Sequence, residues 1–178
     1  MTLHHDLLDQ AAHLATRETR KPKQASLRRA VSAAYYAVFH LLTAEGARRL
    51  SPAKPDGLRL LVQRAFNHGE MRNVCRNFAD RQRAVLKSQV ALQPPLATRL
   101  VLTLPLEAPL IAVIQAFVAL QEARNEADYD IAKPWRRVDV LNRVQAARQA
   151  FADWASIRTV PNATVFLTAL LLQKHWGR

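Results

Sequence analysis

The residues whose types and spacing carry the most chemistry lie in Glu122–Asp130, EARNEADYD. Arg124 and Asp128 stand one helical turn apart, so they share a face and can form an ion pair. Arg124 also continues the line Phe117–Leu120/Gln121, which aims it at the core side of its helix rather than at solvent. A partly buried guanidinium needs partners. Asp128 is one; the hydroxyls of Tyr35, Tyr36 or Tyr129 are candidates for others. Two uses of such an arginine stay open. One is a staple that ties helices together. The other is a cleft where the guanidinium meets a phosphate. On the residues alone the staple is preferred.

A second polar patch lies about ninety residues earlier, in SAAYYAVFHLL. Ser32, Tyr36 and His40 are spaced i, i+4 and i+8 and form one stripe roughly 12 Å long at the helical rise. The other faces of that helix are apolar. Two polar patches inside one bundle cost least when they satisfy each other's hydrogen bonds. The spacing therefore predicts that Arg124, Asp128 and Tyr129 meet Tyr36, with Ser32 and His40 beside them. His40 is equally an ordinary buried histidine with one backbone partner.

Other chemistry finds no support. There is no phosphate-binding P-loop, no dinucleotide glycine pattern and no Gly-x-Ser-x-Gly elbow. His4, His5 and His13 share a terminal helix but lack a third ligand, so no metal site is expected. No cofactor is expected either. The single Cys75 excludes an internal disulfide, and its place on an apolar stripe marks it as a buried structural thiol.

The elements that must position these residues read as helices throughout. The central one is Ser26–Leu50, about seven turns without a proline. Leu27, Val31, Ala34, Val38 and Leu41/Leu42 make one apolar stripe, and Ala30, Tyr35, Phe39 and Leu42 a second, so it should be buried on more than one side. Leu3–Thr16 reads as a first amphipathic helix with Leu3, Leu7, Ala11 and Leu14 inward and Thr2 as its N-cap. Arg17–Gln24 is a polar linker and Ser51–Gly57 a loop. A short helix is expected over Leu58–Phe66, with Asp56 capping it. After the break Asn67-His68-Gly69, Glu70–Val90 is helical and basic, with Met71, Val74, Cys75 and Phe78 as its apolar stripe. Ala91–Pro109 carries four prolines and reads as an ordered crossover or loop. Leu110–Ala127 and Trp135–Ile157 restore helical periodicity, the latter with Val138, Leu141, Val144, Ala147/Arg148, Phe151 and Trp154/Ala155 inward. Ala163–Lys174 is a last apolar segment. The expectation is an all-α bundle built on Ser26–Leu50, Leu110–Asp128 and Trp135–Ile157, with Leu3–Thr16 packed on it.

The 178 residues carry a net charge of +12, with apolar residues at 49%. Such a field attracts phosphate polyanions, although a solvated basic surface explains the same excess. The polar start HHDLLDQ predicts no secretory signal. The longest apolar run, Ala163–Leu172, is about half of what a membrane span needs. A soluble cytoplasmic protein without a membrane partner is expected.

The strings Ser32-x-x-Tyr-Tyr-x-x-Phe-His and Arg124-x-x-Ala-Asp-Tyr-Asp together resemble the HEPN superfamily (higher eukaryotes and prokaryotes nucleotide-binding), over roughly residues 3–157. The resemblance implies an up-and-down bundle of four to five core helices over 1–158, with the Pro-rich crossover. Residues 159–178 would then be a C-terminal helical extension packed on the same domain. The family's site is an Arg followed by a polar residue, with a His four to six positions after the Arg. Arg124 matches the Arg and Asn125 the polar residue. Asp128, Tyr129 and Asp130 stand where the His would be, and Tyr129 occupies one of its slots.

The resemblance therefore implies a homodimer that binds RNA or a nucleotide through Arg124, Asn125, Tyr36, Ser32 and His40. It would belong to a toxin–antitoxin or stress and defence system, with a nucleotidyltransferase-like protein as partner. The first alternative is a metal-independent endoribonuclease with Arg124, Asp128 and Tyr129 as its catalytic residues, although a phenol is a poor general base at neutral pH. The second alternative is a non-catalytic module that binds an acidic protein.

Overall fold

The computed structural model describes residues 2–52, 56–86 and 102–172, and among these every regular element is an α-helix. The protein is an all-α helical bundle. The helices are α1 (Leu3–Thr16), α2 (Gln24–Leu50), α3 (Asp56–Arg64), α4 (His68–Leu86), α5 (Ala108–Tyr129), α6 (Arg137–Ile157) and α7 (Pro161–Leu172). The chain forms two compact units. One comprises Met1–Leu41 with Ala116–Ala152, the other Leu42–Gln115 with Asp153–Arg178. Helices α2, α5 and α6 each give residues to both.

In the first unit, α2 is buried nearly all round. From Ser26 to Ala47 only Arg29 is exposed, which extends the pattern into the second unit as well. Leu27, Val31, Ala34 and Val38, and Ala30 and Tyr35 beside them, are all withdrawn from water. The alanines leave room for the large ring of Tyr35, which packs 5.6 Å from Phe117 of α5 at a tilt typical of stabilising aromatic pairs.

Two periodicities come out differently from the sequence expectation. On α1 the buried line is Leu8, Ala11 and Ala15, while Leu3 is exposed. On α6 it is Val140, Val144, Ala147 and Ala150, continuing to Trp154 and Ile157, while Val138 and Leu141 are exposed. Alanine is the physical reason in both helices. Ala15 and Ala150 mark close approach rather than bulk, so a line drawn through the large residues is rotated away from the buried one. Thr2 is the N-cap residue of α1, as expected, but does not cap through its side chain. Its carbonyl accepts the first helical bonds from His5 and Asp6, but its hydroxyl lies against the rings of His4 (2.9 Å) and His5 (2.8 Å) instead of capping the backbone.

In the second unit, α4 packs on α7. Met71, Val74, Cys75 and Phe78 face inward, and Phe78 meets Phe166 edge-on at 5.3 Å. The short helix begins at Asp56 and ends at Arg64, two residues before Phe66. The ring of Phe66 lies where Gly46 has no side chain; a Cβ there would sit 2.5 Å from it. Asn67 caps the start of the next helix: its Oδ1 accepts from the amides of Gly69 (2.9 Å) and Glu70 (3.2 Å), so α4 begins at His68. Of the Pro-rich stretch, 91–101 lies outside the described residues. The following part is held by two amides. Asn162 donates to the carbonyl of Thr103 (2.8 Å) and accepts from its N–H (3.0 Å), and Gln82 accepts from Leu106 N–H (2.9 Å).

Candidate functional site

All seven site residues expected from the sequence lie in the first unit. Arg124 and Asp128 are brought together on α5 as the helical spacing requires: Nε stands 2.7 Å from Asp128 Oδ2. This contact is an ion pair by distance, but the Nε–H is not aligned with an acceptor. Arg124 Nη1 donates to Asn125 Oδ1 (3.1 Å), and Nη2 donates to the hydroxyl oxygen of Tyr36 on α2 (3.0 Å). The carboxylate of Asp128 is fixed from its other side by Ser32, whose hydroxyl donates to Oδ1 over 2.6 Å. The two polar patches of the sequence thus meet, and residues about ninety positions apart share one hydrogen-bonded network.

Tyr129 takes a different part from its neighbours. It is exposed, and its ring, rather than its hydroxyl, meets Arg124, with Cζ of the guanidinium 5.5 Å from the ring centroid. The Tyr36 ring stands at 5.6 Å. The guanidinium therefore has two aromatic neighbours as well as its polar contacts, an arrangement that favours a cation. Burial alone would depress the pKa of Arg124, but Tyr36, Asp128 and Tyr129 more than offset it and hold the group firmly charged. The side chain keeps 22% exposure. Of the five N–H groups in a guanidinium, two make the aligned bonds to Asn125 and Tyr36.

His40 is on the same α2 stripe but outside the hydrogen bonds just described. It stacks on Tyr36 at 6.3 Å and meets Phe39 edge-on at 5.3 Å. Its burial pushes the imidazole pKa below the ordinary 6.5, so the neutral ring is favoured near neutral pH. Asp130 is used in a turn, its Oδ1 accepting from the amides of Ala132 (3.1 Å) and Lys133 (3.2 Å).

Sequence reasoning missed two residues that build the site. Arg28 donates through Nη1 to the carbonyl of Ala127 (2.7 Å) and through Nη2 to those of Asp130 (2.9 Å), Ile131 (3.2 Å) and Lys133 (2.7 Å). The Ala127 carbonyl is one that the end of α5 leaves without a helical partner, the other three lie in the turn that follows, and a cation there also suits the helix dipole. Gln24 pairs with the backbone of Trp135 in both directions, donating to its carbonyl (2.8 Å) and accepting from its N–H (2.9 Å). The signal was present: Gln24, Arg28, Ser32, Tyr36 and His40 continue one i+4 ridge along α2.

Other chemistry has little foothold. Among the described residues no group of three or more His, Cys, Asp or Glu could hold a metal. Cys75 is fully buried, and its burial pushes the thiol above its ordinary pKa, which makes it a poor nucleophile. No helix among the described residues is long and apolar enough to cross a membrane. No protein-family model, no curated protein and no solved structure matches the chain.

Proposed function

We propose that this chain is a HEPN-type helical protein that binds nucleic acid or a nucleotide through a phosphate held at Arg124. One observation carries the proposal. The Arg124 guanidinium is charged and fixed by Tyr36, Asn125 and Asp128, yet the side chain keeps 22% exposure. A guanidinium whose only task was to seal a core would gain from full enclosure by its partners. One that is fixed in orientation on a side chain still reached by water suits recognition of a phosphate. Tyr129, exposed beside it, and Ile131, exposed in the turn after α5, offer apolar surface for a second copy in a homodimer. Residence in the cytoplasm belongs to the same proposal, as do a toxin–antitoxin or defence role and a nucleotidyltransferase-like partner, and these last two rest on the sequence resemblance.

Binding is preferred to cleavage because the proton-transfer group is hard to find. Both oxygens of Asp128 are engaged, by Ser32 and by Arg124, so its carboxylate is a constrained base. The test is RNA binding by wild type and Arg124→Lys across a salt titration. Lysine keeps the charge but loses the planar fork, so the variant should bind more weakly at every salt concentration. Equal binding by the two proteins would overturn the phosphate role. Metal-free cleavage of RNA by wild type, abolished in Arg124→Ala, would replace binding by catalysis.

A further inference from the structure

The positive charge of this chain is concentrated away from Arg124. Residues 48–87 carry ten Lys and Arg against three Asp and Glu, more than half of the +12 excess. Helix α4 lies in that run, within the second unit. One side of it is occupied by Met71, Val74, Cys75 and Phe78, which face the core. The opposite side is exposed at Asn73, Arg76, Asn77, Asp80 and Arg83, with Arg72 half-buried beside them. Steps of three and four residues place these on one face roughly 15 Å long. One ion pair on this face, Arg83 with Asp80 at 3.1 Å, joins side chains 68% and 53% exposed. A pair that open to water contributes little and is readily exchanged for a phosphate.

We propose that this face of α4 is a second binding surface, and that its partner is duplex DNA entered through the major groove. The residue types favour this partner. Arginine pairs bidentately with guanine and asparagine with adenine in that groove, and the dipeptide Arg-Asn occurs twice, one turn apart, at 72–73 and 76–77. A single strand would need aromatic side chains on which to stack its bases; Phe78 of α4 is buried, and His68 at the helix start is a single ring outside the face of Asn73 to Arg83. An RNA duplex is a poorer fit because its major groove is too narrow for side-chain readout, whereas the groove of B-form DNA admits an α-helix.

The proposal does not depend on the Arg124 cleft and is tested separately. The probe is a mixed-sequence DNA duplex of about two helical turns, followed by fluorescence anisotropy from low to moderate salt. Wild type should bind with a log K that falls linearly with log salt. Arg83→Ala should reduce that slope by about 0.9, the value for one phosphate no longer neutralised, whereas Arg76→Ala, which removes a base contact, should keep the slope and lose preference for guanine. The double variant Asn73→Ala/Asn77→Ala should keep the slope but lose preference among duplexes selected from a randomised pool. Every substituted position is solvent-facing, and circular dichroism checks that the variants stay helical. Binding of uridine monophosphate at the Arg124 cleft should be unchanged in the α4 variants, so the failure of one reading is visible apart from the other. Absence of duplex binding at low salt would overturn the proposal. So would an unchanged slope in Arg83→Ala, or tighter binding of the RNA duplex of the same sequence.

Discussion

Ser32 and Asp128, 96 positions apart in the chain, are joined by a 2.6 Å hydrogen bond. The bond makes α2 a support for the arginine on α5, because Asp128 holds Arg124 with its other oxygen. Ser32 is buried and Asp128 retains 20% exposure, so the pair is shielded but not sealed. Ser32→Ala should cost about 1.5–3 kcal/mol, the range for a hydrogen bond to a charged group. Arg124→Ala should destabilise the fold as well, since it leaves Asp128 without its countercharge. The two losses should not add, because both act on one carboxylate. Urea midpoints for the two single variants and the double variant check this; strict additivity would mean that the network does not act as a unit.

Arg28 predicts a different kind of loss. Its guanidinium serves carbonyls at the end of α5 and in the turn that follows. Arg28→Lys keeps a positive charge near the helix terminus but cannot span several acceptors. The expected result is a destabilisation of about 1–3 kcal/mol, from carbonyls left with poorer partners. Amide hydrogen exchange should accelerate locally around residues 130–135. Uniform acceleration across the first unit would instead mark a global effect.

Why some of this was legible in the sequence and some was not follows from the kind of contact involved. Side chains that meet side chains leave a double trace, one on each helix. Ser32 and Tyr36 on one helix and Arg124 and Asp128 on another each show the i+4 spacing, so their meeting can be inferred. Arg28, Gln24 and Asn162 bond to backbone groups of distant residues. Every residue but proline offers the same backbone groups, so no second trace exists to match. The rotated face of α6 has another origin: Ala147 and Ala150 sit at 0% and 1% exposure, and small residues carry little weight in a pattern built from large ones.

Gly46 in the second unit offers a steric test. Phe66 is buried, at 6% exposure, and its ring fills the space above the glycine. A Cβ would lie 2.5 Å from Phe66 Cζ, well inside contact distance. Alanine would ordinarily improve a helix interior by roughly 0.5–1 kcal/mol. Here the clash should win, with a net loss of about 1–2 kcal/mol, because a buried ring has little room to withdraw. Gly46→Ala combined with Phe66→Leu should recover part of the loss. A stabilised single variant would show that the ring moves aside freely.

The last prediction concerns acid. Burial holds the His40 imidazole below its ordinary pKa of 6.5 in the folded chain. The unfolded chain then binds a proton at His40 more readily than the folded one, so stability rises with pH across this region. Read downward, the contribution of neutral His40 is fully present above 6.5 and is lost as pH falls toward the depressed folded value. The rings of Tyr36 and Phe39 against it offer aromatic packing to either form. His40→Phe removes the titrating group while keeping a ring of similar shape. Urea unfolding at a series of pH values from about 7.5 to about 5 should therefore show a falling midpoint in wild type and a shallower fall in the variant. The remaining slope of the variant belongs to other groups and subtracts out. Parallel pH dependence in the two proteins would show that His40 is already protonated, or free to become so, in the folded state.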